Sequence, residues 1–363
     1  MNTLIRKTVL ASTLILASSL FVNCNQKETI KENKLATLAI ESSINFDVKK
    51  EVKTRNPIVF ITGYDKGAEN YYNNARAFFK EKQFQVIEDQ YSIEEIINWL
   101  NKNESKNPYG EIHIVNKSNP FKGMSLETVI KGEKVTAETL RKNITKGTLP
   151  ILKESVNANS KIIFHANGLG KNKELMNTFK DAFCADELPN VVASPYYSVF
   201  NGEFTKHYLA KPHYVFYPTA NSPGKVDLSK ELAKKYSDEK DINWLDALNN
   251  DEERFVGEAY TTQFTIPVKF ELDYHNSDEK APVFESQEEI MDFIEQQEVL
   301  FFEIEKLNIS IDKFRWSYSM KNSKLTIVGK TTGLTILKPL IKPYGELKHI
   351  TPDTNNKRLY AMK

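Results

Sequence analysis

The sequence predicts an α/β protein: a three-layer sandwich built on a mainly parallel sheet, followed by an α+β C-terminal region. Three observations carry this. From Pro57 onward, short unbroken runs of β-branched and aromatic residues, such as Ile58-Val59-Phe60-Ile61, read as strands covered on both faces. Segments with apolar residues at helical spacing separate these runs, and helix-length connections join parallel strands into a sheet with helices on both faces. Beyond about residue 222 the alternation gives way to a polar helical stretch and then to long segments of alternating polarity.

The first strand ends at Thr62-Gly63-Tyr64, and Tyr71, Tyr72, Ala75, Phe78 and Phe79 then mark one face of a helix. Residues 84–88 form a second strand. Ser92 opens the next helix: Ser92 and Glu95 fit a capping box, and Ile93, Ile96, Ile97 and Leu100 form its apolar stripe. Residues 111–115 are the third strand. An excursion through Val135 follows, with a small hairpin around Lys131-Gly132-Glu133. A helix then starts near Ala137, and Pro150 is expected to break or restart it. Residues 161–166 are the fourth strand and run into Asn167-Gly168-Leu169-Gly170. The next helix carries Leu175, Phe179 and Phe183, with Cys184 placed mid-helix at the core. Residues 191–194 and 213–217 complete the sheet as its fifth and sixth strands. In the C-terminal region, residues 225–253 read as polar helix, 261–274 as a strand and 286–306 as one acidic helix. Residues 314–338 read as two or three antiparallel strands with turns at Lys321-Asn322 and Thr332-Gly333.

In such sheets ligands bind beyond the carboxyl ends of the strands. The candidate binding groove is therefore Tyr64, Asp65, Asn116, Lys117, Asn119, Asn167, Gly168, Tyr196 and Tyr197.

The amino terminus carries a different message. Residues 1–7 are a short basic region, and residues 8–22 are apolar but too short for a comfortable membrane span. The run ends at Leu20-Phe21-Val22-Asn23-Cys24, which resembles the lipobox of bacterial lipoprotein precursors, with Asn23 in place of the usual small residue. The resemblance implies cleavage before Cys24, acylation of its thiol, and a bacterial cell-envelope location in which membrane lipid is a partner. Acyl chains hold a protein at a membrane because each buried methylene contributes about 0.8 kcal/mol. Four segments are expected: a signal peptide over 1–23, a polar tether over 24–56, the α/β domain over 57–222 and the C-terminal region over 223–363.

With residues 1–23 removed, 47 basic side chains face 48 acidic ones, so nothing commits the chain to nucleic acid. Cys24 and Cys184 are the only cysteines; once Cys24 is acylated, no disulfide framework is possible. The α/β-hydrolase elbow fails at Gly123-Met124-Ser125-Leu126-Glu127, which lacks the second glycine and does not follow a strand. Gly168-Leu169-Gly170-Lys171-Asn172 sits between a strand and a helix, yet His165 and Asn172 break the phosphate-loop pattern and Lys173 breaks the dinucleotide pattern. No histidine pair has metal-ligand spacing, so neither metal nor cofactor is expected, and His113 and His165 read as sheet-face histidines satisfied by their neighbours.

The order of elements over residues 57–220 resembles the caspase-like fold of the clan that includes gingipains and caspases. There a catalytic His follows the third strand of a six-stranded sheet and a catalytic Cys follows the fourth, with a small hairpin and a helix between. The matching positions here are Asn116-Lys117 and Asn167. An ammonium and an amide supply neither thiolate nor base, so the resemblance implies no catalytic residues and a domain acting in binding or interaction, with a peptide or protein partner. Two alternatives stand beside this: a hydrolase with Lys117 as base or Asp65 as acid, and a structural envelope or surface-antigen lipoprotein.

Overall fold

The structure, a computed structural model, describes residues 53–63, 70–118, 120–121, 123–200, 202–275, 280–340 and 351–363. Cys24, Tyr64, Asp65 and Asn119 lie outside the described residues. Residues Glu51–Lys363 form one compact unit. No helix among the described residues is long and apolar enough to cross a membrane.

The first sheet contains β1 (Ile58–Ile61), β2 (Gln85–Ile87), β3 (Glu111–Val115), β4 (Lys161–His165), β5 (Asn190–Ala193) and β11 (Ala361–Met362). Its order is β2-β1-β3-β4-β5-β11, parallel throughout except that β11 runs antiparallel to β5. Parallel register places partners on one face: Phe60 lies beside Ile114, Ile114 beside Phe164, and Phe164 beside Ala193. That face packs on α2 (Ile93–Lys102), α3 (Ala137–Thr145) and α4 (Lys173–Ala182) through Ile96, Leu100, Leu140, Met176 and Phe179. The opposite face alternates Val59, Ile61, His113, Val115, Ile163, His165 and Val192. It is covered by Tyr72, Phe78 and Phe79 of α1 (Tyr71–Glu81) and by residues of a second sheet, Phe200 and Leu209 among them.

Short side-chain caps explain where the helices start. Ser92 accepts the Glu95 N–H at 3.1 Å, while the Glu95 carboxylate reaches back to the N–H of Tyr91 at 2.9 Å, one residue earlier than a capping box requires. Thr136 and Thr139 make the reciprocal capping box on α3. The expected hairpin after β3 is present as two isolated bridges of Glu127, with Ser92 and with Lys134, and a tight turn in which Gly132 N–H donates to Val129 O at 2.8 Å. Pro150 does not break α3; that helix has already ended at Thr145, and Gly147 leaves it with a left-handed φ of 67°.

The second sheet is antiparallel and built from β6 (Tyr197–Phe200), β7 (His207–Pro218), β8 (Tyr260–Asp273), β9 (Arg315–Lys321) and β10 (Lys324–Pro339). Strand β10 is its axis. One edge pairs along its length with β8, and the other pairs first with β9 and then with β7. Helices α5 (Lys225–Lys235) and α6 (Trp244–Asn249) bury Leu228, Leu232, Trp244 and Leu248 against Val215 and Ile336. Helices α7 (Gln287–Gln296) and α8 (Glu298–Glu305) bury Ile290, Ile294, Leu300 and Ile304 against Ile266, Phe270, Leu325 and Ile327.

Five sequence expectations are corrected here. The segment 213–217 is not the sixth strand of the parallel sheet: it lies within β7 of the second sheet, and β11 takes the sixth place. Its neighbours β6 and β10 supply a longer antiparallel ladder than the first sheet's edge could. The face opposite α2–α4 is therefore covered partly by sheet, so the three-layer sandwich with helices on both faces is only half realised. The acidic helix over 286–306 is two helices, parted at Gln297 in extended backbone. Thr332-Gly333 is no turn; it lies inside β10, where a Cβ on Gly333 would meet the Phe264 ring at 2.8 Å, so the glycine makes room for an aromatic cross-strand neighbour. Cys184 stands past the end of α4, half-buried, with its thiol donating to Ala185 O.

Candidate binding cleft

The β2-β1-β3 order reverses the direction of winding between β1 and β3, the place where open parallel sheets leave a ligand crevice. In this chain that point is filled. Asn116, fully buried at the end of β3, donates from Nδ2 to Thr62 Oγ1 at 3.0 Å and Ser125 Oγ at 2.9 Å, and accepts the Ser125 N–H at 3.1 Å. Thr62 Oγ1 in turn donates to Val115 O at 2.7 Å. Tyr72 crosses the end of β1 where Gly63 offers no side chain; a Cβ there would lie 2.1 Å from the phenol ring. Its hydroxyl oxygen accepts the Lys117 N–H at 2.8 Å.

The open space lies one strand further along, between the ends of β3 and β4 and the second sheet. This cleft encloses about 570 Å³, within the usual range for small-molecule and peptide sites. Lys117, Ser118 and Asn167 come from the strand ends of the first sheet, and Tyr71 from α1. Tyr197, Ser198, Tyr260, Gln263, Phe264 and Leu337 come from the second sheet, with Asp251 on the rim. Ser118 and Asn167 also wall an adjoining lobe of about 480 Å³ that reaches Gly168 and the start of α4.

Asn167 is held by its backbone carbonyl and by one side-chain atom. Its Oδ1 accepts the Ser198 N–H at 3.2 Å, and its carbonyl faces Ser118 Oγ at 3.5 Å. Gly168 follows in the left-handed region at φ 74°, which turns the chain sharply into the 3₁₀ turn before α4, and its N–H donates to Tyr196 O at 3.1 Å. Lys117 is exposed, with its ammonium 5.9 Å from the centre of the Tyr71 ring.

Of the sequence-predicted groove, Lys117, Asn167 and Tyr197 share the cleft and Gly168 lines the adjoining lobe. Two residues are corrected. Asn116 is a buried tie beneath the cleft, because its amide satisfies three polar groups at the strand ends. Tyr196, one residue before β6, packs away from the cleft against Ile163, Val192, Leu209 and Tyr360.

Below the cleft lies a chain of buried histidines. His113 and His165 stack with their rings 5.2 Å apart and share a hydrogen bond of 2.9 Å between Nδ1 and Nε2. The His207 ring centre is 5.3 Å from that of His165, and its Nε2 bonds Ser198 Oγ at 2.9 Å. Phe78, Phe79 and Phe200 surround them. Burial pushes all three below the ordinary imidazole range; at His165 repulsion from charged His113 and His207 adds to the drop, and His207 falls to about 3. The half-exposed Glu111 carboxylate, 3.5 Å from His113 Nε2, opposes that drop at His113 and is itself held low by the contact.

Ser198 and His207 are nine residues apart with no spacing signal between them, and only the β6–β7 hairpin brings them together. With β6 recognised, Phe200 faces His207 across the hairpin and Ser198 becomes its diagonal neighbour. The pair is a poor nucleophile and base. An imidazole whose pKa is about 3 is a poor acceptor for a serine proton, and among the described residues His207 Nδ1 has no partner to orient it. The histidine nitrogens bond one another or Ser198 instead of converging, and among the described residues no group of three or more His, Cys, Asp or Glu could hold a metal ion.

Comparison with protein-family models, with curated proteins and with solved structures found no match for this chain.

Proposed function

We propose that this chain is a membrane-anchored bacterial lipoprotein whose body acts by non-covalent binding, holding a peptide-like ligand in the cleft of a catalytically silent caspase-like scaffold. One observation carries the reading: Lys117 and Asn167, distant in sequence, line one cleft at the ends of adjacent parallel strands. These are the positions at which the resemblance places an imidazole and a thiol, and an ammonium and an amide can only bind. The six-stranded first sheet supports the scaffold, as do the small hairpin and α3 between β3 and β4. The aromatic walls supplied by Tyr71, Tyr197, Tyr260 and Phe264 suit an extended chain with apolar side groups.

The test is a screen of the full chain against peptide and ester libraries, scored for both binding and turnover. Binding without turnover is expected, and Lys117→Ala or Asn167→Ala should weaken it by about tenfold. Turnover that Lys117→Ala abolishes would replace this reading with the hydrolase. The anchor is tested separately: Cys24→Ala should abolish fatty-acid labelling of the expressed precursor, and labelling that survives would remove the lipoprotein assignment.

A further inference from the structure

Asn167 has an unused donor pair. The residue is only 8% exposed, and its Oδ1 is committed to the Ser198 N–H at 3.2 Å. That bond fixes the amide plane and leaves Nδ2 at the other end, where no acceptor among the described residues takes its hydrogens. Asn167 lines both the main cleft and the adjoining lobe. A largely buried asparagine that lines two cavities with its oxygen already engaged offers its amide hydrogens to an acceptor placed in them.

The surroundings define the acceptor's charge. Lys171 and Lys173 line the lobe and are exposed at its rim, and the amino-terminal end of α4, with its positive dipole, opens on the same space. The one carboxylate in that lining, Glu174, is engaged by Arg141 at 3.1 Å. Pro120, Met124, Leu169 and Leu175 make the rest of the lobe largely apolar. A phosphate favours arginine forks and a row of backbone N–H donors, and the lobe is lined by no arginine. A planar carboxylate joined to an apolar body matches both the amide donor and the apolar wall.

Resting on the binding reading above, we infer that the Asn167 end of the cleft receives a carboxylate, such as the free carboxyl terminus of a peptide ending in an apolar residue. Asn167 Nδ2 donates to one carboxylate oxygen, and Lys171 and Lys173 supply the field.

The experiment uses the full chain in detergent and an N-acetylated tripeptide ending in leucine, prepared as the free acid and as the carboxamide, with binding followed by ligand-observed NMR. The free acid should bind about tenfold more tightly than the amide. Asn167→Asp keeps the oxygen that accepts from Ser198 and replaces the donor with a repelling oxygen, so it should erase or reverse that preference. The double variant Lys171→Ala/Lys173→Ala should weaken the acid by about threefold and flatten its salt dependence. Equal binding of acid and amide overturns the inference and leaves the binding reading standing, whereas absence of binding by both overturns the two together. Inorganic phosphate displacing the acid at comparable concentration overturns the assignment to a carboxylate.

Discussion

At the scale of single residues, the histidine chain makes stability depend on acidity in a definite direction. In the folded chain His207 has a pKa of about 3, against 6.5 for the ordinary side chain, so below 6.5 the unfolded state binds the proton and the folded state does not. The stability this group contributes is complete above 6.5 and is lost progressively as the pH falls toward 3. His113 and His165 shift in the same direction. Each histidine that stays neutral contributes a slope of about 1.4 kcal/mol per pH unit within its window. Urea unfolding of the wild type should therefore show a midpoint that drops between about pH 7 and about pH 5.5, and His207→Phe should reduce the drop. A midpoint that is flat across this range would show that the imidazoles are charged in the folded state.

Among elements, the β9–β10 hairpin is the clearest case of local chemistry deciding geometry. Lys321 pairs with Lys324, which leaves Asn322 and Ser323 as a two-residue turn, both with left-handed φ of 50° and 57°. Such a turn favours Asn followed by Gly. Ser323→Gly should therefore stabilise the chain by about 0.5–1 kcal/mol, seen as a higher midpoint in thermal unfolding, and a fall would mean that the serine side chain matters more than its backbone strain. This turn was legible to within a residue because asparagine marks it in the sequence. Thr332-Gly333 carried the same signal and misled, because that glycine serves the Phe264 ring and not a reversal. The buried strands β1, β3 and β4 were legible from their unbroken apolar runs. The partner of a strand was not: residues 213–217 have the same composition whether they join a parallel or an antiparallel ladder, and only the register with β10 decides. The cleft was legible on its first-sheet side through strand ends. Its other wall depends on how the two sheets meet, which no local pattern encodes.

For the molecule as a whole, the first sheet depends on a short return of the chain. Strand β11 pairs with β5, and Val191 and Lys363 exchange both of their backbone hydrogen bonds at 2.9 Å. Tyr360 anchors the return, buried against Ile163, Val192 and Leu209. Tyr360→Ala should cost about 3 kcal/mol. Among the described residues its buried hydroxyl has no hydrogen-bond partner, so Tyr360→Phe should be neutral or stabilising in the same denaturation assay. A large loss from the phenylalanine variant would mean that the hydroxyl has a partner after all.

Strand β10 has a further consequence, for the time the protein takes to assemble. It lies between β7 and β8, which do not pair with each other, and it reaches β7 by joining Thr331 to Pro218 across a long stretch of chain. Until that contact forms, β7 and β8 each present an open edge, and the entropy of closing the intervening loop must be met before any ladder energy is gained. Formation of this ladder is accordingly expected to be slow compared with the local β6–β7 hairpin, and the open edges are exposed until it closes. Strand β8 carries its own protection through that interval: Pro267, Lys269 and Glu271 interrupt or charge the edge that would otherwise recruit a second chain.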